Sequence, residues 1–156
     1  MAQLTYRQAV YADLDWLAHT EIQCFSSDDT FPRRTIQRMI NNVNHSVVFD
    51  ILVLAEKPIG YALFLTRRNS RLIRLYSICL LPAYQGQGLV KAYLQERIHS
   101  FAKNYEKMGL EVRLNNTSAL ALYLRLGFTT EKVLPGYYHQ GEGREDGYRM
   151  LKNLSN

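Results

Sequence analysis

Between residues 46 and 81 the chain carries three dense apolar runs, at 46–55, 59–66 and 72–81, separated by Glu56-Lys57-Pro58 and by a turn at Asn69-Ser70. Runs of this length bounded by turn residues predict strands. Connections so short predict an antiparallel meander, because parallel neighbours need a crossover of a dozen or more residues. The flanking segments switch to other spacings. Residues 4–10 alternate well enough for a short strand. Leu14, Leu17, Ala18, Ile22 and Phe25, opened by Asp13 and Asp15, predict an amphipathic helix. Ser26-Ser27-Asp28-Asp29 reads as a loop, and Pro32 then starts a helix with Ile36, Met39, Ile40 and Val43 on one face. After Pro82, apolar residues from Leu89 through Phe101 and Tyr105 to Met108 recur at helical spacing, and Gly109 is expected to stop that helix. A short strand at 110–114, a helix at about 118–126 ended by Gly127, and strands at 128–134 and 147–151 with a Gly-rich connection complete the chain. The order β-α-α-β-β-β-α-β-α-β-β predicts an α/β fold with a mixed, mainly antiparallel central sheet and flanking helices.

Composition narrows the classes. A length of 156 residues suits a single domain spanning 1–156, large enough to fold around its own core. With 47% apolar and 21% charged residues the chain is globular rather than disordered. The net charge of +5 favours an anionic partner without choosing among nucleic acid, membrane surface and a phosphorylated cofactor. Two cysteines, Cys24 and Cys79, exclude a disulfide framework. The four histidines show no metal-ligand spacing, so no metal is expected. The N-terminus lacks a signal-peptide pattern, and the longest apolar run is far shorter than the ~20 residues of a membrane span. The expectation is a soluble, cytoplasmic protein without membrane contact.

Gln85-Gly86-Gln87-Gly88-Leu89-Val90 lies between a strand and a long helix. A helix N-terminus offers unpaired N–H groups and the positive end of a dipole, and glycines let an anion approach the backbone. The dinucleotide fingerprint fails here because Lys91 stands where its third glycine belongs, and the P-loop pattern is absent. The segment is an ordinary tight turn or a phosphate cradle.

This Q-x-x-G-x-V stretch after a strand resembles motif A of the GNAT acetyltransferases. Leu110-Glu111-Val112-Arg113, Asn116, Leu122-Tyr123, Gly127-Phe128, Tyr137-Tyr138 and Arg144-Glu145-Asp146 resemble the second half of the family pattern, nearest its branch acting on ribosomal-protein N-terminal alanines. The resemblance is specific over about residues 75–150 and loose over residues 1–70. It implies a GNAT-like sheet with acetyl-CoA as acetyl donor, its pyrophosphate held by the backbone of Gln85, Gly86, Gln87, Gly88, Leu89 and Val90. It further implies that Ile78, Cys79 and Leu80 pair with the pantetheine arm as an added strand would, with Asn116 as a further contact. Two positions depart from the pattern: Val90 replaces the usual Gly or Ala, and Leu81 stands where an acidic residue is common.

Acetyl transfer to an amine needs a neutral amine, a polarised carbonyl, a stabilised oxyanion and a protonated leaving thiolate. By resemblance Glu111 is the general base, acting through water, and Tyr123 the general acid in a direct ternary-complex reaction. Read from the strand alone, Leu110, Val112 and Leu114 share one face while Glu111 and Arg113 share the other, so Glu111 is equally a surface carboxylate paired to Arg113 or to a neighbouring strand. Tyr123 is equally a core aromatic, and Asn116 equally an N-cap. A tyrosine near 10 is also a poor acid for a thiolate near 8.5, by roughly 2 kcal/mol. Phe31, Tyr137 and Tyr138 lie in segments that by resemblance flank the acceptor.

The acceptor implied is a protein or peptide N-terminal α-amine. Its pKa near 7.7–8.0, against about 10.4 for lysine, leaves a few hundred-fold more free base at neutral pH. A small amine of the polyamine or aminoglycoside type is the alternative, and a non-catalytic CoA-binding module a third. Arg67, Arg68, Arg71 and Arg74 cluster around the second turn of the meander, and Arg33, Arg34 and Arg38 lie on the second helix. They serve phosphates, an acidic acceptor or solubility; direct nucleic-acid binding is not indicated.

Overall fold

The computed structural model describes residues 2–154. These form strand β1 (Thr5–Gln8), helices α1 (Leu14–Cys24) and α2 (Arg33–Asn41), and strands β2 (Val47–Leu54), β3 (Lys57–Thr66) and β4 (Leu72–Leu80). Helix α3 (Leu89–Phe101), strand β5 (Lys107–Arg113), helix α4 (Thr117–Arg125) and strands β6 (Thr129–Gln140) and β7 (Gly143–Asn153) follow. The strands make one seven-stranded sheet in the order β1-β2-β3-β4-β5-β7-β6. Only β4 and β5 are parallel, and α3 is the crossover that lets them be so.

Alternation along the meander sends side chains to two cores. Phe49, Ile51, Tyr61 and Leu63 pack under α1 and α2, while Leu52, Phe64, Ile73, Leu75 and Met108 pack under α3 and α4. The result is a helix–sheet–helix sandwich in which β4, β5, β7 and β6 extend past the α1–α2 cover.

Several boundaries differ from the sequence reading. The third helix ends at Phe101, not near Gly109, and Met108 and Gly109 lie inside β5. Met108 sits opposite Ile73 with 0% exposure, so parallel pairing overrides the helical spacing that continued past the true stop. Lys57 and Pro58 belong to β3; the turn is a two-residue one at Ala55 and Glu56, both at positive φ. The Gly-rich connection is mostly strand, since β6 and β7 form a long hairpin turning between Gln140 and Gly143. On α1 the buried face is rotated: Ile22 is 70% exposed, whereas Thr20 and Glu21 are buried.

Candidate functional site

The sheet opens where β4 leaves β5. Their pairing runs from Leu72 opposite Lys107 to Leu75 opposite Leu110 and stops there, although both strands continue. A β-bulge explains the parting. On the β3 side, Phe64 faces Leu75 while Leu63 faces Ser77, so Tyr76 is an extra residue in β4. A bulge bends its strand and increases the local twist. At the other end of β4, Gly60 keeps β3 close: a Cβ there would lie 2.1 Å from the Cys79 carbonyl oxygen. Held by β3 and bent away from β5, the rest of β4 presents an unpaired edge.

The resulting cleft has a volume of about 570 Å3. Ile78, Glu111, Asn116, Tyr123, Phe31, Tyr137 and Tyr138 all line it, so seven side chains singled out from sequence are brought together. Cys79 and Leu80 continue the β4 edge, with the Cys79 side chain turned into the α1–α2 core. The Leu80 carbonyl accepts from Gln85 Nε2 at 2.9 Å and from Cys24 Sγ at 3.4 Å, which ties the glycine loop and α1 to the end of β4. A hydrogen bond from Cys79 holds the Cys24 thiol below its ordinary range, while the same bond and burial push Cys79 up.

At the mouth, Gly86 and Gly88 both adopt φ of +76°, and Gly88 caps α3. Left-handed backbone at two positions in three suits glycine alone. Among the described residues the N–H groups of Gly88, Leu89 and Val90 have no backbone partner, so the loop offers convergent donors at the positive end of a 13-residue helix. Gln87 folds back to the Ala83 carbonyl at 3.3 Å. The Val90 side chain is half-buried against the α3 core, leaving its amide at the helix start. Unpaired donors and an unpaired strand edge in line fit a ligand with a phosphate head and an amide-bearing arm, which is the chemistry of CoA.

Glu111 is almost covered, with a side-chain exposure of 8%. Its partner is not Arg113. One carboxylate oxygen accepts from Arg74 Nη2 on β4, and the other from Arg149 Nε on β7 at 3.3 Å. Register explains Arg149, which stands directly opposite Glu111. A carboxylate offers about four lone-pair sites, so the two guanidinium contacts leave room for water. Arg113 instead grips Asp29 of the α1–α2 loop at 2.5 and 2.6 Å and Glu145 of β7 at 3.0 Å, while its guanidinium lies over Tyr138. Gly147 makes room for that ring: a Cβ there would lie 2.6 Å from Tyr138 Cε2.

Tyr123 packs edge-on against Phe128. Burial pushes its hydroxyl up to about 12. Asn116 does cap α4, accepting from the Ala119 N–H at 3.2 Å, while also lining the cleft. Phe31 stacks on Tyr76, which in turn lies beneath the Arg74 guanidinium. The sequence reading missed Tyr76, Arg149 and the Arg113 clamp, since each depends on a bulge or a cross-strand register. It also missed Glu21, buried on α1, which accepts from the Phe31 N–H at 3.0 Å and from Tyr61 Oη at 2.8 Å. Tyr61 Oη in turn bonds Ser77 Oγ at 3.0 Å, so the acceptor-side loop is fixed to β4 through a buried relay. A lone glutamate among the apolar positions of α1 was the only available signal.

A parallel pair opened beside a glycine-led helix N-terminus is the architecture of a CoA-dependent acyltransferase fold. Residues 12–128 match the acetyltransferase (GNAT) family, and the chain belongs to that family. It is 39% identical over 82 residues to a [ribosomal protein bS18]-alanine N-acetyltransferase of Escherichia coli, an alignment covering 52% of this chain and 55% of that protein. The chain spans about half the length of the curated relatives it matches. The crystal structure of the Escherichia coli ribosomal-protein-S18-alanine N-acetyltransferase superposes with a TM-score of 0.86 at 27% identity, covering 99% of this chain and 96% of that one. A Vibrio cholerae spermidine N-acetyltransferase, solved with CoA and spermine, superposes at 0.84 with 19% identity over 97% of this chain and 96% of that one, a likeness of fold. Among the described residues no helix is long and apolar enough to cross a membrane, and no group of three metal-ligating side chains occurs.

Proposed function

We propose that the chain transfers an acetyl group from acetyl-CoA to a primary amine, and that the acceptor is the α-amine of a protein or peptide N-terminus. The observation that carries this reading is the cleft itself: Glu111 and Tyr123 line one opening between strands whose free edge leads toward unpaired amides.

Acetyl-CoA supplies the activated acetyl group. The Gly88, Leu89 and Val90 amides bind its pyrophosphate, and the β4 edge at Ile78, Cys79 and Leu80 orients the pantetheine arm through backbone groups. Glu111 accepts the amine proton at a carboxylate oxygen through a water, while Arg74 and Arg149 hold that carboxylate in place. A Tyr123 hydroxyl near 12 would protonate a thiolate near 8.5 at a cost of roughly 5 kcal/mol. Tyr123 therefore keeps its proton and donates a hydrogen bond to the sulfur, and Glu111 passes the proton it took from the amine, through water, to the departing thiolate. Phe31, Tyr137 and Tyr138 flank the amine entrance.

Of the carboxylates lining the cleft, Glu111 is matched by Arg74 and Arg149 and Asp29 by Arg113, while Asp28 forms no ion pair among the described residues; the acceptor proposed is the α-amine. The name of the Escherichia coli relative supports the same class of acceptor. Thiol release, measured with N-terminal peptides and with polyamines as acceptors, tests the reading. Peptide turnover is expected, and turnover of polyamines alone overturns the acceptor assignment.

A further inference from the structure

Beyond the reaction cleft, the same sheet face continues into a second groove of about 590 Å3 along β4, β5 and β7. The two cavities meet at Arg74 and Glu111, which line both. The groove lies past the edge of the α1–α2 cover and ends at Arg67, beyond the last residue of β3. Its charged walls are Arg67, Arg74 and Arg149 against Glu111 and Glu131. Glu111 is shared by two arginines, so that trio carries a net positive charge. Arg67 forms no ion pair among the described residues, and Arg74 Nε is buried there without a hydrogen-bond partner.

We propose that this groove is the subsite for an acidic side chain, aspartate or glutamate, a few residues into the acceptor peptide. The inference rests on the peptide-acceptor reading above and deepens it. Register sets the position. Arg74 faces Gly109, two residues from Glu111, and Thr66 faces Ile73, which places Arg67 beside Leu72, two residues from Arg74 in the opposite sense. At about 3.3 Å per strand residue, Glu111 and Arg67 stand roughly 13 Å apart along the sheet. An extended peptide covers at most about 3.3–3.6 Å per residue. An acceptor whose α-amine sits beside Glu111 therefore brings its third to fifth side chains over the Arg74–Arg149–Arg67 stretch. A carboxylate in that stretch meets the excess positive charge, and Arg67 is the cation with no partner to leave.

The test uses the full chain, acetyl-CoA and three peptides identical except at positions three to five, which are Glu, Ala or Lys. Thiol release gives kcat/KM at low and high salt. The order Glu over Ala over Lys is expected, with about a fivefold span from Glu to Lys carried in KM, as suits a solvent-accessible charge site. The span should shrink as salt is added. Arg67→Glu should abolish or invert the order while turnover of the Ala peptide changes less than about twofold. Equal kcat/KM for the three peptides, a preference for Lys, or a Glu preference unchanged by Arg67→Glu overturns the subsite alone. Absence of turnover with every peptide overturns both the peptide-acceptor reading and the subsite.

Discussion

Asp50 and Glu111 are both held by arginine, in different ways. Asp50 of β2 receives Arg97 of α3 through two bonds of 2.8 Å, and the Tyr93 hydroxyl completes its shell. The Arg97 guanidinium also lies over the Tyr6 and Phe101 rings. With side-chain exposures of 3% for Asp50 and 18% for Arg97, that pair is mostly covered between sheet and helix. Glu111 is held from two sides by single contacts, and its arginines reach solvent at 33% and 41% exposure. A two-pronged pair flanked by aromatic rings locks α3 to β2. A carboxylate pinned at each oxygen beside a cleft is oriented and keeps lone pairs to use. The number of contacts does not separate the roles; where the unused lone pairs point does.

The comparison breaks most visibly at Asp50. Asp50→Asn leaves Arg97 without its counter-charge in a covered site and should destabilise the fold by about 3–5 kcal/mol, read by denaturant unfolding. Below its melting temperature the variant should keep the parent acetyl-CoA affinity. A shift under 1 kcal/mol would mean that Asp50 is not the structural member of the two. Glu111→Gln should do the reverse. Its kcat/KM should fall about a hundredfold, while stability changes by less than about 1 kcal/mol because Arg74 and Arg149 reach water. A large stability loss with modest kinetic change would make the two carboxylates alike. Tyr123→Phe sharpens the chemistry on the opposite wall. A lost hydrogen bond to the sulfur predicts about a tenfold fall in kcat with unchanged acetyl-CoA binding by calorimetry. Unaltered turnover would remove Tyr123 from the reaction.

The smallest effect concerns a third carboxylate, Glu21, which no arginine reaches among the described hydrogen bonds and ion pairs. Burial holds its carboxyl above the ordinary glutamate range, opposed by the bonds from Tyr61 and the Phe31 amide. The folded chain thus binds this proton more tightly than the unfolded chain. The contribution to stability is full below the unfolded value near 4.3 and is lost as pH rises through the higher folded value. Glu21→Gln stays neutral throughout. Its Tm relative to the parent should climb from near zero at pH 4 to about 2–4 °C at pH 8. A difference that falls with rising pH contradicts the sign.

The meander was legible because its turns are short and its runs dense in β-branched and aromatic residues. The glycine loop was legible because left-handed backbone demands glycine at Gly86 and Gly88. Other features left no local trace. The end of α3 was masked because Tyr105 and Met108 kept helical spacing while the register of Ile73 with Met108 placed the latter in a strand. The braces on Glu111 come from β4 and β7, about forty residues away in either direction, and only the pairing of β5 with β7 sets Arg149 opposite it. Tyr76 has no signature as a bulge; its neighbours Leu75 and Ser77 read as plain alternation.

That single extra residue has a consequence for how the protein tolerates change. The slot beside β4 is made by a count, one residue more in β4 than in the β3 segment it faces. Side chains along the slot can vary, since strand pairing uses only backbone groups. A deletion of one residue near position 76 would restore parity with β3, leave Ser77 and Cys79 on their present face, and let β4 zip onward against β5. Substitution would erode this site gradually, whereas a change of length by one codon would erase it in a single step.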